Sequence, residues 1–128
     1  MLFDTSDRGV SRKMIVEQRI YTFAPGQIGK FLEIFEAEGL AVQRQYLGPM
    51  VGYYATEIGP LNRSISMWAY EDLNDRTERR RALFADRRWQ DYLGKVRPLM
   101  ASQETQILTP APFFAPVLDT FKKQGRET

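Results

Sequence analysis

The stretch Met14-Ile15-Val16-Glu17-Gln18-Arg19-Ile20-Tyr21-Thr22-Phe23-Ala24-Pro25-Gly26-Gln27-Ile28 decides the fold, because the hydrophobic period changes inside it. From Met14 to Phe23 the residues are largely β-branched or aromatic and alternate in direction. Glu17, Arg19, Tyr21 and Phe23 point one way; Val16, Gln18, Ile20 and Thr22 point the other. Pro25-Gly26 breaks this strand. From Gln27 the apolar residues Ile28, Phe31, Leu32, Phe35, Val42 and Tyr46 share one helical face, and Gly48-Pro49 ends the helix.

Outward from this strand–helix unit, two more strands are expected at Met50 to Ile58 and Ser64 to Tyr70. The turn Gly59-Pro60-Leu61-Asn62 joins them. Asp72 to Met100 reads as helix in two pieces meeting near Asp86. Its second piece carries the stripe Trp89, Tyr92, Leu93, Val96, Met100, and Pro98 ends it. Ser102 to Thr109 reads as a last strand. The order is βαββαβ, an α+β ferredoxin-like plan in which a four-stranded antiparallel sheet carries its helices on one face. Residues 14–116 form the expected domain, 1–13 a flexible extension and 117–128 a polar tail. Pro110, Pro112 and Pro116 around Phe113-Phe114 suggest an extended arm that packs its aromatics.

Within the third strand, Ile65, Met67 and Ala69 are the smooth apolar set and are assigned to the helices. That assignment leaves Ser64, Ser66, Trp68 and Tyr70 on the open face, with Glu17, Arg19 and Tyr21 beside them. A bare four-stranded face of roughly 400 Å² is as large as the patches monomers tolerate, so a homodimer is the expected cover.

Composition narrows the chemistry. The chain has no cysteine and no histidine, which excludes disulfides, thiolate nucleophiles, histidine bases and a proximal haem histidine. No calcium-loop pattern is present, so neither a metal nor a cofactor is expected. A net charge of +2 does not argue for nucleic acid. The run Arg76, Arg79, Arg80, Arg81, Arg87, Arg88 reads as a solvated helix face, with Asp72–Arg76 and Asp75–Arg79 as i, i+4 pairs. No apolar run reaches the roughly 18 residues of a membrane span, and a cytoplasmic location is expected.

Glu17-x-Arg19-x-Tyr21-Thr22-x-x-Pro25-Gly26 resembles the opening of NIPSNAP-family domains. Gly52-x-x-x-Thr56-Glu57-x-Gly59-x-Leu61-Asn62 resembles the second block, and Met67-Trp68-x-Tyr70-x-x-Leu73-x-x-Arg76 the third. Trp89 and Ile107-Leu108-x-Pro110 follow in family order, so the resemblance runs from about Met14 to Pro116. It implies a dimeric α+β barrel, two ferredoxin-like sheets closed face to face. It implies no particular reaction, and fold alone does not supply one.

The candidate ligand-binding residues are Arg19, Tyr21, Glu17, Trp68 and Tyr70; no catalytic residue is assigned. Arg19 is either an anion clamp in an aromatic pocket or the partner of Glu17 in a structural ion pair. The aromatics either line a cavity or form the dimer core. The expected role is binding of a small molecule or a protein partner. The alternative is a cofactor-independent enzyme, of oxygenase or isomerase type, acting on a small aromatic or carboxylate compound.

Overall fold

In the computed structural model, which describes residues 14–122 and so not the expected extension 1–13, the elements follow the expected order as far as the last strand and then add a short helix. They are β1 (Ile15–Phe23), α1 (Ile28–Ile34), a π-helical turn (Phe35–Gly39), α2 (Leu40–Tyr46), β2 (Met50–Ala55) and β3 (Arg63–Tyr70). Then come α3 (Leu73–Ala85), α4 (Arg87–Val96), a 3-10 turn (Arg97–Leu99), β4 (Met100–Leu108) and α5 (Ala115–Asp119). The four strands form one antiparallel sheet in the order β2-β3-β1-β4, the ferredoxin-like arrangement. Asp86 joins α3 to α4: it closes the first helix, and its carboxylate accepts from the Arg88 amide to open the second. β2 stops at Ala55, short of Ile58, which is 92% exposed.

The two faces of the sheet are the reverse of the expected assignment. Trp68 and Tyr70 are fully buried in the main core with Phe23, Phe31, Phe35, Val42, Leu83, Trp89 and Tyr92, so their strand face meets the helices. Pairing of Glu17 with Trp68 and of Arg19 with Ser66 puts Glu17, Arg19 and Tyr21 on this inner face too. The physical reason is volume. A helix layer stands about 10 Å from a sheet, and large rings from both sides fill that gap where Ile65, Met67 and Ala69 would leave it under-packed. A chain of ring contacts runs through it: Phe23–Phe31 at 4.4 Å, Phe31–Phe35 at 6.0 Å, Phe35–Tyr92 at 6.0 Å and Tyr92–Trp89 at 4.8 Å.

The other face carries a second, smaller core. Met14, Val16 and Ala69 are buried there against Leu118 of α5, with Met67, Leu108 and Phe121 packed around them. The anchor, Leu118, lies in the stretch expected to be a polar tail, and the expected extended arm is instead a turn that runs into α5. Phe113 is 85% exposed, so it is not the packing residue.

The first helical layer contains one surplus residue. The Leu40 amide donates to the Phe35 carbonyl five residues back. Gly39 lies in this turn, where a Cβ would stand 2.8 Å from the Tyr92 ring, so only a glycine lets α4 pack this closely. Beyond the turn Val42 and Gln43 of α2 are buried, as are Leu47, Gly48 and Pro49 after it, and Tyr46 is only half-buried.

Candidate functional site

The inner face of β1 holds one carboxylate among guanidinium groups. Glu17 has no solvent exposure. Its Oε2 accepts from Arg19 Nη1 at 3.0 Å and from Arg76 Nη2 of α3 at 2.7 Å. Burial by itself would raise its pKa. The Arg76 hydrogen bond and the charges of Arg19, Arg76 and Arg80 outweigh that and hold it below the ordinary carboxylate value.

Arg19 spans the gap from this pair to the rim. Its Nε donates to the Tyr21 hydroxyl at 2.9 Å, and Nη1 also reaches Thr105 Oγ1 of β4 at 3.2 Å. Nη2 has only a long contact with Gln103 Oε1, at 3.5 Å. The ion-pair reading of Arg19 is thus what the geometry displays.

Beyond Arg19 the sheet and helices part. The helices do not cover β4, whose central residues are exposed on both faces. A cleft of about 210 Å³ opens there, with Arg19, Tyr21 and Gln103 on the sheet side. Arg80 and Phe84 border it from α3, Trp89 and Leu93 from α4, and Arg97 from the 3-10 turn. Arg80 is half-buried, with its guanidinium over the Phe84 ring at 5.2 Å. Burial and then the charge of Arg19 push its pKa below the ordinary arginine value. Neither Arg80 nor Arg97 makes a hydrogen bond or ion pair to any described residue.

Of the five expected binding residues, the structure brings Glu17, Arg19 and Tyr21 together, and only Arg19 and Tyr21 reach the cleft. Trp68 and Tyr70 lie deeper in the core, where burial pushes the Tyr70 hydroxyl's pKa up. Sequence reasoning did not single out Arg76 and Arg80 as site residues, taking the arginine run for a mostly solvated helix face. Their i, i+4 spacing, in register with the buried Leu83, was the available signal. Asp75–Arg79 does form as expected, at 2.8 Å. Among the described residues there is no group of acidic side chains that could hold a metal, and no helix is long and apolar enough to cross a membrane.

Comparison with known proteins follows the same outline. A family model described as NIPSNAP matches residues 16–115. Human NipSnap homolog 3A is 36% identical over 93 residues, which cover 71% of this chain but only 37% of that protein. An uncharacterized NIPSNAP-like domain protein from Burkholderia xenovorans superposes with a TM-score of 0.77 at 46% identity, covering 80% of this chain and 89% of that one. A NIPSNAP-family protein of unknown function from Agrobacterium tumefaciens gives a TM-score of 0.78 at 42% identity, covering 80% and 92%. Sequence blocks, strand order and these relatives agree, and the chain belongs to the NIPSNAP family.

Proposed function

We propose that this chain binds a small anionic organic molecule in the cleft between β1, β4 and the α3–α4 pair. One observation carries the reading. Arg19, Arg80 and Arg97 border a single cleft, and the nearby carboxylate, Glu17, is already shared by Arg19 and Arg76. A desolvated guanidinium without an acceptor is costly, and a bound carboxylate or similar anion relieves that cost. Tyr21, Phe84 and Trp89 supply the apolar wall that such sites use. At about 210 Å³ the cleft is smaller than the roughly 300–1,000 Å³ of sites for drug-sized ligands, which suits a small metabolite. The enzyme alternative has less support: two guanidinium groups hold Glu17 ionised, a poor arrangement for a group that must pick up and release a proton near neutrality.

Replacing Arg80 with Met keeps the stem over Phe84 and removes an unpaired charge. The variant is expected to match the wild type in thermal stability or exceed it. Stabilisation by small carboxylates, read by thermal shift and calorimetry, is expected to fall at least tenfold in affinity, about 1.4 kcal/mol. Equal binding by both proteins would remove Arg80, and with it this cleft, from the site.

The chain also works as a homodimer in this reading. The reversed sheet faces change the argument for it, since the largest rings are internal. What remains outward is still considerable: Tyr54 at 57%, Leu61 at 58%, Ile107 at 41% and Phe113 at 85% exposure, with β4 an uncovered edge. Light scattering at micromolar concentration is expected to give about twice the 14.9 kDa chain mass. A monomer at that concentration would refute the dimer.

A further inference from the structure

Building on the anion-site reading, we infer that the ligand of this cleft is a small organic dianion, such as a dicarboxylate or a phosphate monoester, rather than a monocarboxylate. The argument is a count of charges and of the walls that hold them. Arg19, Arg80 and Arg97 line the cleft, and Glu17 behind it is shared by Arg19 and Arg76, which leaves Arg80 and Arg97 without a negative partner.

The cations reach the cleft from three separate elements. Arg19 rises from β1 with Nη2 only loosely held by Gln103, Arg80 descends from α3, and Arg97 stands at the turn into β4. No carboxylate among the described cleft-lining residues offsets them. Arg80 and Arg97 stand on different elements and neither has an acid of its own, so a single negative charge leaves one of them uncompensated. Two anionic groups, or one phosphate with its three terminal oxygens, answer Arg80 and Arg97 together. The aromatic side chains between them accept the carbon skeleton.

The test uses calorimetric titration of the full chain with matched probes: butyrate against succinate, and benzoate against both phthalate and phenyl phosphate, with benzyl alcohol as the uncharged control. Each dianion is expected to bind about 10- to 100-fold more tightly than its partner, the gain of one charge-assisted hydrogen-bonding group. Arg97 is exposed, so Arg97→Met will fold; it is expected to lower dianion affinity at least tenfold and butyrate and benzoate affinity by much less, so that the preference for dianions disappears. Mono- and dicarboxylates binding equally well would overturn the dianion inference and leave the anion site standing. No binding by any probe, or benzyl alcohol matching benzoate, would overturn the anion site and the inference with it. Preference for phenyl phosphate over phthalate, or the reverse, separates the two sources of the dianion.

Discussion

Replacing Glu17 with Gln is expected to cost about 3 kcal/mol, near the lower end of what breaking a buried ion pair costs. The substitution preserves shape and removes the carboxylate that both Arg19 and Arg76 use. Two guanidinium groups then face each other, with Arg80 close by, in a place water hardly enters. The side chains of Arg19 and Arg76 are 12% and 25% exposed, so some solvation survives, which keeps the loss from the top of the range. In urea unfolding, the midpoint should fall while the slope stays the same. The same group gives the protein an acid limit. Its pKa is held below the 4.5 of an ordinary glutamate, so the folded state binds fewer protons in acid than the unfolded chain. That contribution is complete above pH 4.5 and is lost as pH falls through the lower, folded value. Glu17→Gln should therefore flatten the acid side of the stability curve as well as lower its plateau. A loss under about 1 kcal/mol would mean the pair is worth no more than a surface one.

Truncating Trp68 to Ala is expected to cost about 3–5 kcal/mol, the range for removing a large aromatic from a packed core. Trp68 has no solvent exposure and lies between Glu17 on β1 and Met50 on β2, beneath the helices. Since the ring is buried by its own chain, the loss should be the same at every protein concentration. A ring in a dimer core would behave otherwise: the difference between wild type and variant would change on dilution, because stability and association are linked. Unfolding at two concentrations tenfold apart decides the point. A concentration-dependent difference would return Trp68 to the open face where its spacing first suggested it.

Trp68 also shows where a sequence stops being legible. The four strands, the helices between them and the break at Asp86 follow from period, turn residues and caps, which are local properties; α5 does not, because Pro116 reads as a breaker but is tolerated in a first helical turn. Which face of an alternating strand meets the helices is not local. Ile65-x-Met67-x-Ala69 is the more apolar set, and Ser64-x-Ser66-x-Trp68-x-Tyr70 mixes small polar with large aromatic residues. Only the helices' own rings, Phe31, Phe35 and Tyr92, define a gap that the second set fills, with Ser64 and Ser66 leaving room beneath them. The site was half legible for a related reason. Glu17, Arg19 and Tyr21 stand out as polar residues at alternate positions on one strand. Arg76 and Arg80 look like surface because an inward-facing charge breaks the usual helix pattern, and its partner, Glu17, lies 59 residues away from Arg76.

The π-helical turn at Phe35–Gly39 sets a constraint of a different kind, on chain length. One surplus residue there carries Gln43 inward to the cleft and brings Leu47 and Gly48 under β3, where a Cβ on Gly48 would meet the Ala69 carbonyl. Deleting a single residue from the turn would rewind it to an α-helix and swing everything after it by about 100°. Gln43 would leave the cleft and the tight join to β2 would no longer meet its neighbour. Substitutions in the segment, Gly39 aside, are therefore easier to accommodate than an altered count: its length acts as a clocking pin between the first helical layer and the sheet.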